Sequence, residues 1–81
     1  CGGAGIFLLS DAIRAGADAF VTADVKYHEF FDADHKIVLA DIGHYESEVF
    51  TKDLLFKYLS KFFTNIAVNL SEATTNPVFY L

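Results

Sequence analysis

Apolar and polar residues follow two different spacings along the first half of the chain. Residues 6–15 carry apolar side chains at helical spacing and run into Gly16, which predicts a helix that ends on a left-handed glycine. Residues 17–23 and 37–42 are short and mostly apolar, which is typical of strands that are covered on both faces. Helical and strand patterns therefore alternate from the start.

The second half of the chain continues this alternation. Aromatic and acidic residues, with the aromatic ones at helical spacing, predict a helix over 25–35. A wide apolar face predicts the longest helix over 45–63, and we interpret this face as core packing. Residues 65–70 predict a third strand, and residues 71–81 predict an extended tail because Pro77 is incompatible with a helix interior. The fold class is therefore α/β, with a mixed, mostly parallel sheet and flanking helices.

The composition indicates a piece of a larger assembly. The chain of 81 residues contains no methionine and begins with Cys1-Gly2-Gly3, which resembles the inside of a strand-to-helix turn. We therefore expect residues 1–81 to form a single α/β fragment of a longer protein. An apolar content of 53% is high for this length. Part of this surface is then expected to meet another chain or a missing half, and the alternative is a compact domain with an unusually aromatic core.

Charge and cysteine content exclude several classes of partner. The net charge is −5 and the lysines are scattered, so no nucleic-acid partner is expected. No apolar run approaches the roughly 18 residues that a membrane span needs, and no signal-peptide pattern opens the chain. The single cysteine cannot form an internal disulfide, which fits a reducing compartment. We expect a cytoplasmic location.

The main candidate for chemistry lies in residues 41–48, where an apolar run ends and a helix begins. His44 and Glu48 are four residues apart and would share one helical face. An imidazole nitrogen and a carboxylate oxygen are suitable ligands for Zn²⁺, Mn²⁺, Fe²⁺ or Co²⁺, and Asp41 could support the imidazole or bind directly. Two ligands leave such a site incomplete. The alternative is an ordinary helix start, where the helix dipole favours Glu46 and Glu48.

Other candidate residues follow the predicted strands. Because parallel strands end at one edge of a sheet, Asp24 and His28 are expected on the same rim as Asp41, His44 and Glu48. A general acid or base role is one interpretation of His28. His35 is expected to cap a helix or to be exposed. The glycine-rich turn of residues 1–5 is read as a plain tight turn in preference to an anion cradle.

Three blocks of this sequence resemble one known family. Residues 21–28 (Val-Thr-Ala-Asp-Val-Lys-Tyr-His), residues 41–48 (Asp-Ile-Gly-His-Tyr-Glu-Ser-Glu) and residues 75–78 (Thr-Asn-Pro-Val) are similar to the C-terminal part of the GTP cyclohydrolase type 2 homologues, also called NIF-three-like proteins. The resemblance covers nearly the whole chain. It implies a fold of two similar α/β halves, of which this chain would be one half, a dinuclear metal centre in a cleft, and toroidal homohexamers.

The resemblance also implies roles for individual residues. His44 and Glu48 match metal ligands of the family, whereas a pair of adjacent histidines and an aspartate in the N-terminal half supply the others. No adjacent histidine pair occurs here, so the chain would hold a half-site of a centre with two metal ions per full-length chain. Asp24 and His28 would border the cleft. The implied reaction is metal-dependent hydrolysis by the full-length protein, and the alternative is a non-catalytic scaffold organised by metal.

Overall fold

The computed structural model describes all 81 residues, Cys1–Leu81, and the chain divides into two compact units. The first unit spans Cys1–Glu48 and the second spans Val49–Leu81. Both strands lie in the first unit, so the α/β character of the fold comes from this part of the chain.

Two parallel strands form the sheet. Strand β1 spans Ala19–Thr22 and strand β2 spans Val38–Asp41, with Thr22 opposite Asp41 at the carboxyl end. Ala4 adds a single parallel bridge to Ala23, just beyond β1. Because both strands run in the same direction, the residues that follow them leave the sheet at one edge, as the sequence predicted.

Short helices connect these strands and flank them. A 3₁₀ turn over Ile6–Leu8 leads into helix α1, Leu9–Arg14, and Gly16 follows with a φ of 74°, which confirms the predicted left-handed stop. The segment between β1 and β2 is a 3₁₀ helix, Tyr27–Ala33, which is shorter than the predicted helix over 25–35. Left-handed backbone at Asp34 and His35 ends this segment, and His35 is exposed.

The core of the first unit is small. It centres on Leu9 of α1, Ala33 of the 3₁₀ helix and Ile37 before β2, all of which are buried. Partly buried apolar side chains pack against this centre: Ile6, Ala12, Ile13, Ala17, Phe20 and Leu39. Each helical element of the first forty residues therefore contributes to one cluster that supports the sheet.

The last predicted helix is divided in two. Helix α2 spans His44–Glu48 and helix α3 spans Thr51–Phe62, so the prediction of one continuous helix over 45–63 is wrong. The prediction of a strand over 65–70 is also wrong. A strand exists through hydrogen bonds to a neighbouring strand, and no strand of this chain pairs with these residues.

Helix α3 has the predicted apolar face, but this face is not covered. None of its residues is buried, although the sequence indicated core packing. Its exposed apolar side chains are Leu54, Leu55, Tyr58, Leu59 and Phe62. One helix and an irregular tail offer too little surface to enclose an aromatic-rich face.

None of the helices combines the length and the apolar character needed to cross a bilayer.

Candidate metal centre

His44 stands between two carboxylates at the carboxyl edge of the sheet. Its Nδ1 atom lies 2.6 Å from Oδ2 of Asp24, and its Nε2 atom lies 3.3 Å from Oε2 of Glu48. The predicted pairing of His44 and Glu48 on one helical face is confirmed, since both belong to α2. All three side chains are about half exposed, so the ring is accessible to solutes.

The end of β1 positions Asp24. Its φ of 56° is left-handed, a backbone conformation that aspartate tolerates better than most residues because of its short polar side chain. The adjacent Val25 N–H donates to Oδ2 of Asp41 at 3.0 Å, which ties the loop after β1 to the end of β2. The Asp24 carboxylate therefore projects from backbone that is fixed on both sides.

Asp41 supports the backbone and does not contact the imidazole. Its second oxygen, Oδ1, accepts a hydrogen bond of 3.0 Å from the Gly43 N–H, two residues further on. The same carboxylate thus fastens the loops that follow both strands. The expectation that Asp41 supports the imidazole is wrong, because the carboxylate that contacts the ring is that of Asp24.

The glycine-rich turn lies directly against the His44–Glu48 pair. The Gly3 N–H donates to Oγ of Ser47 at 2.8 Å, and that hydroxyl donates to the His44 carbonyl, also at 2.8 Å. A Cβ atom on Gly3 would lie 2.5 Å from Oε1 of Glu48 and 3.2 Å from Nε2 of His44. A side chain at this position would fill the space beside the two candidate ligands.

Thr22 anchors this turn to the sheet. The side chain is completely buried, and its Oγ1 accepts from the Gly5 N–H at 2.9 Å and donates to the Gly3 carbonyl at 3.0 Å. Sequence reasoning missed the roles of Gly3, Ser47 and Thr22. The available signal was a single hydroxyl inside the otherwise apolar stretch 19–23, because such a group needs a buried partner.

The two carboxylates determine the protonation of His44. The Asp24 carboxylate, by its hydrogen bond and then by its charge, raises the pKa of His44 above the ordinary value of 6.5, and Glu48 adds to this effect. A carboxylate can only accept a hydrogen bond, so Nδ1 carries a proton toward Asp24. A neutral ring would then turn a bare Nε2 lone pair toward Glu48. This contact is favourable only when a proton or another cation lies between the two atoms.

The geometry of the pair fits a metal ion. Two ligands of one tetrahedral zinc ion lie about 3.4 Å apart, given metal–ligand bonds of about 2.1 Å. The observed separation of Nε2 and Oε2 is 3.3 Å, and Gly3 leaves the adjoining space free of side chain. The chain nevertheless brings together no group of three or more His, Cys, Asp or Glu residues that could hold a metal. The pair therefore fits one half of a metal site.

The other two histidines lie apart from this arrangement. His28, in the 3₁₀ helix, and His35, just after it, are both exposed. Neither ring forms a hydrogen bond or an ion pair with Asp24 or Glu48. Of the residues predicted on the rim, the structure links Asp24, His44 and Glu48, and it leaves His28 without a contact to them.

The fold and the site define a class: an α/β segment that presents a histidine–carboxylate pair at the carboxyl edge of a parallel sheet. The chain belongs to the Duf34/NIF3 (NGG1p interacting factor 3) family, whose sequence model matches residues 1–77. This finding confirms the family resemblance. The matched residues include the first two sequence blocks in full and the third block as far as Pro77.

Relatives of known name agree with this assignment. The chain is 39% identical over 84 residues to the GTP cyclohydrolase 1 type 2 homolog of Staphylococcus aureus strain MSSA476, and 40% identical over 83 residues to that of Staphylococcus epidermidis. These matches include 99% and 98% of this chain, respectively, but only 23% of either relative. The chain thus spans about a quarter of the length of these relatives.

Solved structures share the fold. The Staphylococcus aureus protein SA1388 has a TM-score of 0.86 and 40% identity, with 99% of this chain and 27% of that chain covered. A Bacillus cereus protein related to NIF3 has a TM-score of 0.84 and 29% identity, with 99% of this chain and 23% of that chain covered. The mixed α/β class is therefore confirmed, and the chain corresponds to a part of the fold of these proteins.

Proposed function

We propose that this chain contributes His44 and Glu48 as ligands to a divalent metal centre in a longer protein of the Duf34/NIF3 family. The observation that carries the proposal is the 3.3 Å approach of Nε2 of His44 to Oε2 of Glu48 beside a glycine that leaves the space open. Because two ligands do not complete such a centre, the remaining ones would come from outside this chain. The family resemblance implies two metal ions per full-length chain.

A metal-dependent hydrolysis is the reaction class that we propose for the whole protein. Relatives carry the name GTP cyclohydrolase 1 type 2 homolog, and a divalent metal ion supplies Lewis-acid activation when it is bound. Within this chain, His44 and Glu48 would hold the ion, and the half-exposed rim would admit a substrate. His28 is exposed on the segment that follows β1, where it could carry a proton to or from that substrate.

Metal content is the decisive measurement for the binding proposal. The whole protein should contain stoichiometric metal by elemental analysis, and replacement of both His44 and Glu48 by alanine should remove at least one equivalent. The matched control is His35→Gln, which also removes an imidazole but at an exposed position after the 3₁₀ helix. Full metal content in the double variant would overturn the proposal, and so would equal losses in the double variant and the control.

A second candidate function is a non-catalytic scaffold that metal organises into a homo-oligomer. Large apolar side chains are exposed throughout the chain, including Tyr27 at 81% and Phe79 at 89%, which favours cover by another part of the protein or by a second copy. Incubation of the metal-loaded whole protein with GTP distinguishes the two functions. Turnover that disappears in the His44 and Glu48 double variant supports the hydrolase. A metal-dependent change in sedimentation without turnover supports the scaffold.

A further inference from the structure

We propose that Asp24 is a positioning residue, whose carboxylate fixes the His44 imidazole in the tautomer that leaves Nε2 free to bind an ion beside Glu48. The metal-binding part of this inference rests on the proposed function, whereas the tautomer does not. Asp24 and His44 are 20 residues apart in the sequence, and their side-chain atoms lie 2.6 Å apart. So short a distance indicates a hydrogen bond to a charged acceptor, since charge-assisted hydrogen bonds are shorter than neutral ones.

The ring of His44 needs an external group to fix it. His44 is the first residue of a helix of only five residues, and its side chain is half exposed. The helix backbone fixes the Cα–Cβ direction but leaves the ring free to rotate in solvent. The two ring nitrogens are chemically distinct. The hydrogen bond that one nitrogen donates decides that the other carries the lone pair available to a ligand. Asp24 provides that bond on the Nδ1 side.

Asp24 is well placed for this function because its own position is fixed. It follows Thr22 and Ala23, which are both completely buried, and it precedes Val25, whose N–H is bonded to Asp41. Its backbone adopts a left-handed conformation with a φ of 56°. The sheet therefore determines the location of the carboxylate, and the carboxylate determines the orientation of the imidazole.

The same geometry separates a positioning role from a ligand role. Asp24 contacts the ring at Nδ1, whereas Glu48 approaches it at Nε2. The lone pairs of the two nitrogens point in different directions in the plane of the ring. An ion shared by Nε2 and Glu48 therefore lies away from the Asp24 oxygen that holds Nδ1. Carboxylate partners of this kind, when they are removed, typically lower metal affinity by about tenfold to a hundredfold.

The tautomer can be read directly by nuclear magnetic resonance of the chain labelled with ¹⁵N-histidine. Only three histidines are present, and the exposed His28 and His35 serve as internal references. At a pH where the rings are neutral, we expect His44 to carry its proton on Nδ1 in the wild-type chain. Asp24→Ala should mix the two tautomers at His44. The matched control, Asp18→Ala, removes a carboxylate at the opposite end of β1 and should leave the His44 signals unchanged.

A second variant keeps the test decisive if Asp24→Ala fails to fold. Asp24→Asn preserves the size of the side chain and tolerates the left-handed backbone. Its amide offers both a donor and an acceptor to Nδ1, so it should also populate both tautomers at His44. A proton on Nε2 in the wild-type chain, or an unchanged tautomer in every Asp24 variant that folds, would overturn the inference.

Zinc alone is the probe for the metal-binding part. Zinc is titrated into the whole protein carrying the same substitutions, and the dissociation constant is measured by competition with a chromophoric chelator. We expect Asp24→Ala to weaken zinc binding by about tenfold to a hundredfold, and Asp18→Ala to leave it unchanged. If Asp24 controls the tautomer while replacement of His44 and Glu48 by alanine leaves zinc binding of the whole protein unchanged, the proposed function fails and the positioning role stands. If zinc binds equally well with and without Asp24, the positioning role fails alone.

Discussion

Oδ2 of Asp24 lies 2.6 Å from Nδ1 of His44, and this contact joins the loop after β1 to the first turn of α2. The other ring nitrogen approaches Glu48, so one imidazole connects two carboxylates from different elements. Two charges could satisfy the contact between Nε2 and Glu48: a second proton on the ring or, in the proposed function, a metal cation between the two atoms.

The first prediction concerns the pH dependence of stability without metal. Because Asp24 and Glu48 raise the pKa of His44 above 6.5 in the folded chain, protonated His44 stabilises the fold. This contribution is fully present below pH 6.5 and is lost as the pH rises through the higher folded pKa. We expect the metal-free chain to lose thermal stability across that window, as measured by circular dichroism melting. In His44→Gln, this part of the pH dependence should disappear, and a wild-type curve that rises there would contradict the assignment.

Metal binding should depend on pH in the opposite sense. Because the imidazole must be neutral to bind a metal ion, the ion displaces the Nε2 proton of the charged ring that Asp24 and Glu48 stabilise. We expect the apparent affinity of the whole protein for zinc to increase as the pH rises above 6.5, with proton release on binding. Calorimetry in buffers of different ionisation enthalpy measures this release. Binding without proton release near pH 6.5 would show that His44 is not a ligand.

Much of this site was predictable from local patterns, and the rest depended on contacts between distant segments. His44 and Glu48 share a helical turn, so their spacing alone predicted that they meet. The bond of Asp24 to His44 required the two strands to be parallel, which predicts a shared rim but not which carboxylate reaches the imidazole. Asp41 is nearer in sequence to His44, yet it bonds to backbone N–H groups. Short-range spacing could not distinguish these two aspartates.

The errors in the fold have a related cause. Residues 65–70 have the apolar pattern of a strand, but a strand forms only by pairing with a neighbouring strand, and neither strand of this chain pairs with these residues. Similarly, the apolar face of α3 predicted a buried helix, whereas Leu54 is 67% exposed. Periodicity indicates which face a helix would bury. It does not show that the covering surface belongs to the same chain.

Gly3 provides a test of the space beside the candidate ligands. Its φ is 63°, and an added Cβ would lie 2.5 Å from Oε1 of Glu48, so Gly3→Ala should displace Glu48 and weaken zinc binding of the whole protein by at least about tenfold. Gly16→Ala is the matched control, because Gly16 has a similar φ of 74° with no atom within 4 Å of the added Cβ.

Both of these glycine substitutions introduce left-handed strain, with an expected loss of about 1 kcal/mol in the free energy of unfolding. Only Gly3→Ala should also change zinc affinity, measured by competition with a chromophoric chelator. Equal zinc affinities in the two variants would show that the space next to Gly3 is not used by the ion.

Thr22 tests whether the sheet holds the glycine turn in place. Thr22→Val keeps the shape of the side chain but leaves the Gly5 N–H without its buried partner, whereas the Gly3 carbonyl keeps its hydrogen bond from the Ala23 N–H. We expect a loss of about 1–3 kcal/mol in the free energy of unfolding by urea denaturation, because unpaired buried polar groups cost this amount.

Thr22→Ser is the control for Thr22→Val, since it keeps the hydroxyl and removes only a methyl group, with an expected loss of about 1 kcal/mol. Because Gly3 also bonds to Ser47 of α2, loosening the turn should disturb the His44–Glu48 pair as well. Zinc affinity should therefore fall in Thr22→Val and remain near the wild-type value in Thr22→Ser. A valine variant as stable as the serine variant would show that the two hydrogen bonds of Thr22 do not anchor the turn.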